Sequence, residues 1–136
     1  MLYSKEVIDK VSEWIGARSM DAQAYLVVNK LPEWVATVEA IFVTDKSFDW
    51  LTKNNFPIMA AFVKAIEGEK KSLEFLIKNK AAHLAATANA VNRDKGAEEW
   101  LIKNNLQHYA RLAEIIRKKL EKMSDSDLSY LFKGPF

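Results

Sequence analysis

The segment Trp50-Leu51-Thr52-Lys53-Asn54-Asn55 decides the fold, because the chain repeats it. It recurs as Phe75-Leu76-Ile77-Lys78-Asn79-Lys80 and as Trp100-Leu101-Ile102-Lys103-Asn104-Asn105, with the same interval between copies. One step back, Tyr25-Leu26-Val27-Val28-Asn29-Lys30 occupies the same register. A fixed period of this length is typical of helical-repeat proteins. The sequence therefore predicts a 25-residue unit that occurs four times.

Four positions of the unit keep their chemical character in every copy. They are an aromatic residue, a leucine, an asparagine and a branched aliphatic residue. Agreement at four positions in one register favours a true repeat over coincidence. The positions are Tyr25, Trp50, Phe75 and Trp100; Leu26, Leu51, Leu76 and Leu101; Asn29, Asn54, Asn79 and Asn104; and Ile41, Ile66, Val91 and Ile116.

Each unit predicts a short helix A followed by a longer helix B. In the second unit helix A runs from Lys46 to Asn54, with Trp50 and Leu51 as its apolar face. Helix B begins at Pro32 or Pro57 in the first two units, because proline suits the first position of a helix. The spacing of the apolar residues of helix B is helical. They are Leu31, Trp34, Val38 and Ile41; Phe56, Met59, Val63 and Ile66; Ala81, Leu84, Ala88 and Val91; and Leu106, Tyr109, Ala113 and Ile116.

A second face of helix B carries small residues in three units and larger ones in the fourth. Alanine pairs such as Ala36 and Ala40 allow close approach of a neighbouring helix. The fourth unit has Arg111 and Ile115 instead. An arginine there is typical of a solvent-facing end, so we expect an open, linear stack rather than a closed bundle.

The predicted fold class is all-α: an α-solenoid of four 25-residue helix-turn-helix repeats with N- and C-terminal helical caps, about ten short helices in all. In general shape it resembles the α-solenoid class, which includes the tetratricopeptide, HEAT and armadillo repeats. The unit is shorter than theirs, and no functional residue is transferred. The prediction is a single domain, 1–136, divided into a cap 1–23, repeats 24–48, 49–73, 74–98 and 99–123, and a cap 124–136 in which Tyr130-Leu131-Phe132-Lys133 repeats the signature.

Composition excludes several classes of protein. The 136 residues include 4 Gly, 3 Pro and no Cys, which excludes a disulfide framework and a thiolate metal site and argues against a β-sandwich. The N-terminus reaches Lys5 and Glu6 without an apolar stretch, so no signal peptide is expected. The longest uncharged apolar run, residues 57–63, is too short to span a bilayer. The expected location is cytoplasmic.

The asparagine and lysine positions admit both structural and functional interpretations. Asn29, Asn54, Asn79 and Asn104 fall at the inward end of helix A, where asparagine tolerates a left-handed conformation and caps free carbonyls. This interpretation is favoured over a ladder that reads a peptide backbone. Lys53, Lys78 and Lys103 suit the helix dipole. Stacked in a row, they would also meet phosphates or acidic peptides.

The two histidines do not predict a metal site. His83 and His108 lie in the same slot of successive units. Zinc requires three or four close ligands, and the slot holds no carboxylate in those units. Solvated or capping histidines are favoured, and neither a metal nor a cofactor is expected.

Positive charge is concentrated in the second half. The net charge of +2 divides into −2 for residues 1–68 and +4 for residues 69–136. Glu114 and Glu121 interrupt the basic helix, so a nucleic-acid interface is only a weak signal. The basic residues of this helix are Arg111, Arg117, Lys118, Lys119 and Lys122.

The functional prediction is a non-catalytic interaction module that binds a protein or peptide partner on the surface of stacked helices. The residues expected to contribute are Lys53, Lys78, Lys103, Phe42, Arg111, Arg117 and Lys118. Phe42 is included because Phe42 and Val43 are apolar where other units are polar, although a cover by Trp14 and Ile15 is the simpler explanation. No phosphate loop, nucleophile elbow or zinc-protease motif is present, so no enzyme is expected. The alternatives are nucleic-acid binding through backbone phosphates and a structural subunit of a larger assembly.

Overall fold

The computed structural model describes residues 2–125, and this range is all-helical, with nine helices and no strand. The outer helices of successive units start in equal steps along the chain, at Met20, Asp45, Lys70 and Lys95. The helices are α1 Lys5–Ala17, α2 Met20–Val28, α3 Pro32–Phe42, α4 Asp45–Lys53, α5 Pro57–Ile66, α6 Lys70–Lys78, α7 Ala82–Val91, α8 Lys95–Lys103 and α9 Gln107–Asp125.

Side-chain caps and prolines fix where the helices start. Ser4 and Ser19 accept hydrogen bonds from the backbone N–H groups of Val7 and Ala22, which satisfies donors that the first turn leaves free. Thr44 and Asp94 cap α4 and α8 in the same way. Pro32 and Pro57 occupy the first turns of α3 and α5, as predicted.

A left-handed residue makes the turn from each outer helix to the next inner one. The residues are Lys30, Asn55, Lys80 and Asn105, with φ of 56°, 69°, 62° and 60°. In each case the asparagine predicted to take this conformation lies one residue earlier, with a negative φ. The prediction of the left-handed residue was therefore wrong by one position.

The helices form two layers. The odd-numbered helices α1, α3, α5, α7 and α9 contact one another in chain order, and α9 also contacts α1. Each even-numbered helix packs against the two odd-numbered helices that flank it in sequence. The odd-numbered helices thus form an inner ring, and the even-numbered helices lie outside it.

The contact between α1 and α9 corrects the expectation of an open stack. Arg111 Nη1 lies 3.5 Å from Asp9 Oδ1, and a Cβ on Gly16 would lie 3.4 Å from Ile115 Cγ2. The two residues that replace the alanine pair in the fourth unit therefore contact α1, although the Arg111 side chain remains half-exposed. The wider side chains suit this seam because α1 offers a glycine there.

Successive contacts along the seam show that α1 and α9 are parallel. Tyr3 meets Tyr109 near the start of both helices, Asp9 meets Arg111 further along, and Gly16 meets Ile115 after that. The rising order on both helices means that they run in the same direction.

The inner ring encloses the apolar core. Trp34 is almost completely buried and packs edge-on against Tyr3 and Phe62, with ring centroids 5.5 Å and 6.2 Å apart. The predicted apolar stripe of the inner helices is buried at its central positions, including Val38, Val63 and Leu84. Among the described helices, none has both the length and the apolar character needed to cross a membrane.

Some predicted boundaries differ from the observed ones. Helix α4 runs Asp45–Lys53, one residue earlier than expected, and the borders proposed between units fall inside outer helices. Helix α9 continues to Asp125, beyond the predicted end of the fourth unit. The rest of the predicted C-terminal cap, residues 126–136, lies outside the described residues.

Candidate binding surface

Each outer helix separates its aromatic residue from the neighbouring leucine. Leu26, Leu51, Leu76 and Leu101 point into the core and are fully buried. The preceding residue is rotated by about 100° around the helix, which leaves Trp50, Phe75 and Trp100 exposed by 37%, 38% and 42%. The predicted apolar face is therefore divided: Leu51 points into the core, whereas Trp50 remains partly exposed.

Two of these aromatic residues, Trp50 and Phe75, line grooves between successive outer helices. The first groove lies between α2 and α4 and has a volume of about 530 Å³. Trp50 and Val27 form its walls, and Pro32, Val35 and Ala36 of α3 form part of its floor. Such an apolar depression suits a large side chain of a partner.

The next unit repeats this groove in a smaller form. Phe75 lies above Pro57, Ala60 and Ala61, the equivalents of Pro32, Val35 and Ala36, and the volume is about 400 Å³. Thr52 replaces Val27 in its wall. The repeat thus places equivalent depressions one unit apart along one surface.

Two lysines and one carboxylate give the first groove its polar rim. Lys30 and Lys46 line the groove and are exposed. Glu39 also lines it, and its Oε1 accepts a hydrogen bond of 3.0 Å from Ser47 Oγ. The rim has one more positive than negative charge, which favours an anionic group at this position.

The lysine row is exposed and alternates with carboxylates. Lys53, Lys78 and Lys103 occupy the last turns of α4, α6 and α8, and none has a carboxylate oxygen within 4.0 Å among the described residues. An acidic residue precedes each lysine by four positions, at Asp49, Glu74 and Glu99, and all three are exposed. The outer surface therefore carries stripes of both signs, a pattern that the sequence comparison had missed.

The asparagines cap the outer helices from an exposed position. Their side-chain Nδ2 atoms donate to the backbone carbonyl four residues earlier, on Tyr25, Trp50, Phe75 and Trp100, at 2.8, 2.9, 2.7 and 2.7 Å. The predicted capping role is seen, but the expected inward position is wrong, since Asn29, Asn54, Asn79 and Asn104 are all exposed. Each cap also orders the backbone of the aromatic residue beside it.

Two basic residues of α9, Arg111 and Lys118, form ion pairs with carboxylates. Arg111 pairs with Asp9, and Lys118 lies 3.0 Å from Glu114 and lowers the pKa of that carboxyl by hydrogen bonding and by its charge. Arg117 is half-buried in a cleft of about 220 Å³ that also holds Asp94 and Glu98. These contacts reduce the positive field that the sequence suggested.

A separate positive group lies at the ends of α1 and α9. Burial, followed by the nearby charges of Arg18 and Lys122, lowers the pKa of Lys119. The electrostatic effect of Arg18 and Lys122 on Lys119 indicates that these two cations lie near it. Arg18, Lys119 and Lys122 therefore form a positive group at this end of the molecule.

Phe42 does not belong to the surface. It is buried at the end of α3, whereas its neighbour Val43 is exposed. This corrects the expectation that Phe42 contacts a partner directly.

A polar cluster lies at the N-terminal ends of the inner helices. The Tyr3 hydroxyl donates to Glu33 Oε2 at 2.7 Å, and the Tyr3 backbone N–H donates to the Tyr109 hydroxyl at 3.2 Å. Burial raises the pKa of Tyr109 to about 12, and burial together with Glu33 raises that of Tyr3. These hydrogen bonds fasten the N-terminal segment to α3 and α9.

The histidines flank Tyr109. His83 is buried and packs edge-on at 5.1 Å between ring centroids, and the centroid of the His108 ring is 4.9 Å from that of Tyr109. Burial lowers the pKa of His108, although Asp9 opposes the shift. The expectation of a solvated His83 is therefore wrong. Within the described part of the chain, no group of three His, Asp or Glu side chains has metal-binding geometry.

Comparison of the chain with protein-family models, with curated proteins and with solved structures finds no match.

Proposed function

We propose that the chain is a non-catalytic helical-repeat interaction module that binds a protein or peptide partner on its outer surface. Its units are the four 25-residue repeats of an α-solenoid with caps, curved so that the inner helices meet. The partner-binding surface consists of the grooves beside Trp50 and Phe75, together with the exposed side chain of Trp100. The proposed location is the cytoplasm.

The proposal depends on the aromatic column, the partly exposed residues Trp50, Phe75 and Trp100. These three large side chains remain partly in water, whereas the adjacent leucines are fully buried. The fold therefore does not gain the full free energy of burying their apolar surface. Aromatic residues are the commonest energetic anchors of protein interfaces. Their spacing by one unit provides several weak contacts along one partner segment.

The mixed charges beside the grooves support a peptide over a nucleic acid. Lys53, Lys78 and Lys103 run parallel to Asp49, Glu74 and Glu99, so a long run of phosphates would meet carboxylates as well as lysines. A peptide with charges of both signs complements such a surface.

Selection from a displayed library of random 12-residue peptides tests the proposal. Peptides that bind the immobilised chain are synthesised, and their dissociation constants are measured by fluorescence anisotropy. We expect Phe75→Ser and Trp100→Ser each to weaken binding at least tenfold, because aromatic anchors dominate such contacts. Reversal of the three lysines to glutamate should change the preference for charged residues in the peptides.

Leu2→Ser is the matched control, because Leu2 is an exposed apolar residue outside the grooves. It should leave the affinity unchanged. Failure to enrich any peptide in independent selections, or peptides that bind the aromatic variants and the wild type equally, would contradict the proposal.

A phosphate-binding function is the second candidate, and the group Arg18, Lys119 and Lys122 favours it. A gel shift with mixed-sequence DNA and RNA at 20 mM salt tests it. Binding that falls steeply as salt rises and that is lost in Lys119→Glu would support this candidate. Absence of binding at low salt would remove it. A structural subunit docked through another face would bind neither the peptides nor the nucleic acids.

A further inference from the structure

Helix α2 has an apolar face on each side. Ala22 and Leu26 face the core and are fully buried. On the opposite side lie Met20, Ala24, Val27 and Val28, at the i, i+4, i+7 and i+8 spacing of a single helical stripe. Met20, Val27 and Val28 are exposed by 70%, 61% and 75%. A helix that is apolar all round is normally covered on both sides.

The other outer helices show that this second face is particular to α2. The slots of Ala24 and Val28 hold an acidic residue and a lysine in α4, α6 and α8. A solvated outer face is therefore compatible with this helix position, and α2 departs from it. In α2 the small residue Ala24 and the branched residue Val28 occupy the two positions that are charged in the other outer helices.

The charges at the two ends of the stripe make it complementary to itself. Asp21 lies in the first turn of α2 and is exposed, and Lys30 follows the helix and is exposed at the opposite end. When two copies of α2 pack antiparallel, Asp21 of each copy approaches the partner copy's lysine. A parallel arrangement brings like charges together instead.

We propose that two copies of this chain associate through antiparallel packing of their α2 helices. The register that pairs Asp21 with Lys30 places the two-fold axis between Ala24 and Val27, where the small side chain of Ala24 allows close approach. Met20 and Val28 then pack against the opposite ends of the partner helix. Val27 and Lys30 also line the first groove, so the dimer contact borders that groove, whereas the groove beside Phe75 lies outside it.

The contact is small, so the dimer is weak. A patch formed by one short helix on each side lies at the lower end of the interface size range. We expect a dissociation constant of about 1–100 µM. Association in this range is visible only when protein concentration is varied.

Sedimentation equilibrium between 2 and 500 µM tests the proposal. The average mass of the wild type should rise from the 15.5 kDa of one chain towards twice that value. Val28→Asp should remain monomeric throughout, because it places a carboxylate within the apolar contact. Ile77→Asp is the matched control: it introduces the same charge at an exposed apolar position of α6 and should dimerise like the wild type.

Charge exchange tests the antiparallel direction. Asp21→Lys alone and Lys30→Asp alone should each weaken association at least fivefold, and the double variant should restore it. Aspartate also tolerates the left-handed conformation of residue 30. Circular dichroism shows that each variant remains folded. A wild type that stays monomeric at 500 µM, a dimer that survives Val28→Asp, or a double variant without recovery would overturn the proposal.

Discussion

Arg111 on α9 forms an ion pair with Asp9 on α1, at 3.5 Å between Nη1 and Oδ1. Asp9 also pairs with Lys5, and the Arg111 side chain is half-exposed. An exposed ion pair contributes only about 0–1 kcal/mol. Closure of the inner ring must therefore depend mainly on the apolar contact beside this pair, where Ile115 lies against Gly16.

The Gly16→Val substitution tests this dependence. The added side chain meets Ile115, because even a single Cβ would lie 3.4 Å from it. We expect the free energy of unfolding to fall by about 1–3 kcal/mol, the usual effect of overpacking a close contact. Urea denaturation measures the change. Ala17→Val, at the exposed neighbouring position, adds a similar β-branched residue and should cost about 0.5 kcal/mol or less. Equal losses in both variants would argue against a tight seam.

Adjacent residues of α6 should differ sharply in their contributions to stability. Leu76→Ala removes a fully buried side chain and should lower the free energy of unfolding by about 2–5 kcal/mol. Phe75→Ala removes a larger side chain that is 38% exposed, and should cost only about 1 kcal/mol. Chemical denaturation of the two variants provides the comparison. The reverse order would show that the aromatic column is structural.

The buried tyrosines predict a loss of stability at high pH. Tyr109 has a pKa of about 12 in the folded chain against 10.0 for an unperturbed tyrosine, and that of Tyr3 is also raised. The unfolded chain therefore loses these protons first. Their contribution is fully present below pH 10 and is lost as pH rises towards 12, with a slope of up to about 1.4 kcal/mol per pH unit for each tyrosine.

Urea midpoints between pH 8.5 and 11.5 measure this slope. The Tyr3→Phe/Tyr109→Phe variant should be less stable at pH 8.5, because Glu33 loses its hydrogen-bond donor. Its midpoint should nevertheless fall less steeply above pH 10 than that of the wild type. The same slope in both proteins would mean that other groups control alkaline unfolding.

The turn after α6 offers a stabilising substitution. Lys80 has a φ of 62°, whereas the same slot holds asparagine at residues 55 and 105. Asparagine adopts this conformation more readily than lysine. Lys80→Asn should raise the free energy of unfolding by about 0.5 kcal/mol, measured by thermal unfolding. Asn79→Ala, one residue earlier, removes the hydrogen bond to the Phe75 carbonyl and should lower it by about 1 kcal/mol. A gain from Asn79→Ala would contradict the capping role.

The periodicity could be predicted from the sequence because equivalent packing positions require residues of the same kind in each unit. Leu51 and its equivalents are buried at equivalent positions, and each equivalent of Asn54 caps its helix. Local rules were therefore enough for the all-helical class, the proline starts and the caps. These rules act over one or two turns of helix.

The contact between α1 and α9 could not be predicted from the sequence. It depends on small rotations between successive inner helices, which accumulate along the chain. Arg111 resembles a solvent-facing residue in the self-comparison, and only the position of α1 gives it a partner. Gly16 on α1 was the one sequence feature that could have indicated a helix packed closely against this position. The candidate surface was missed for a related reason: Trp50 and Leu51 are adjacent in sequence, and only one of them points inward.

The closed inner ring limits how such a chain can evolve. An open stack lengthens by tandem duplication, because each terminal unit has a free face on which a copy can dock. Here the contact between Gly16 and Ile115 occupies that face on both α1 and α9. A duplicated unit added beside α1 or α9 must therefore first separate these two helices. Diversification is directed instead to the outer helices, whose exposed residues can change without disturbing closure.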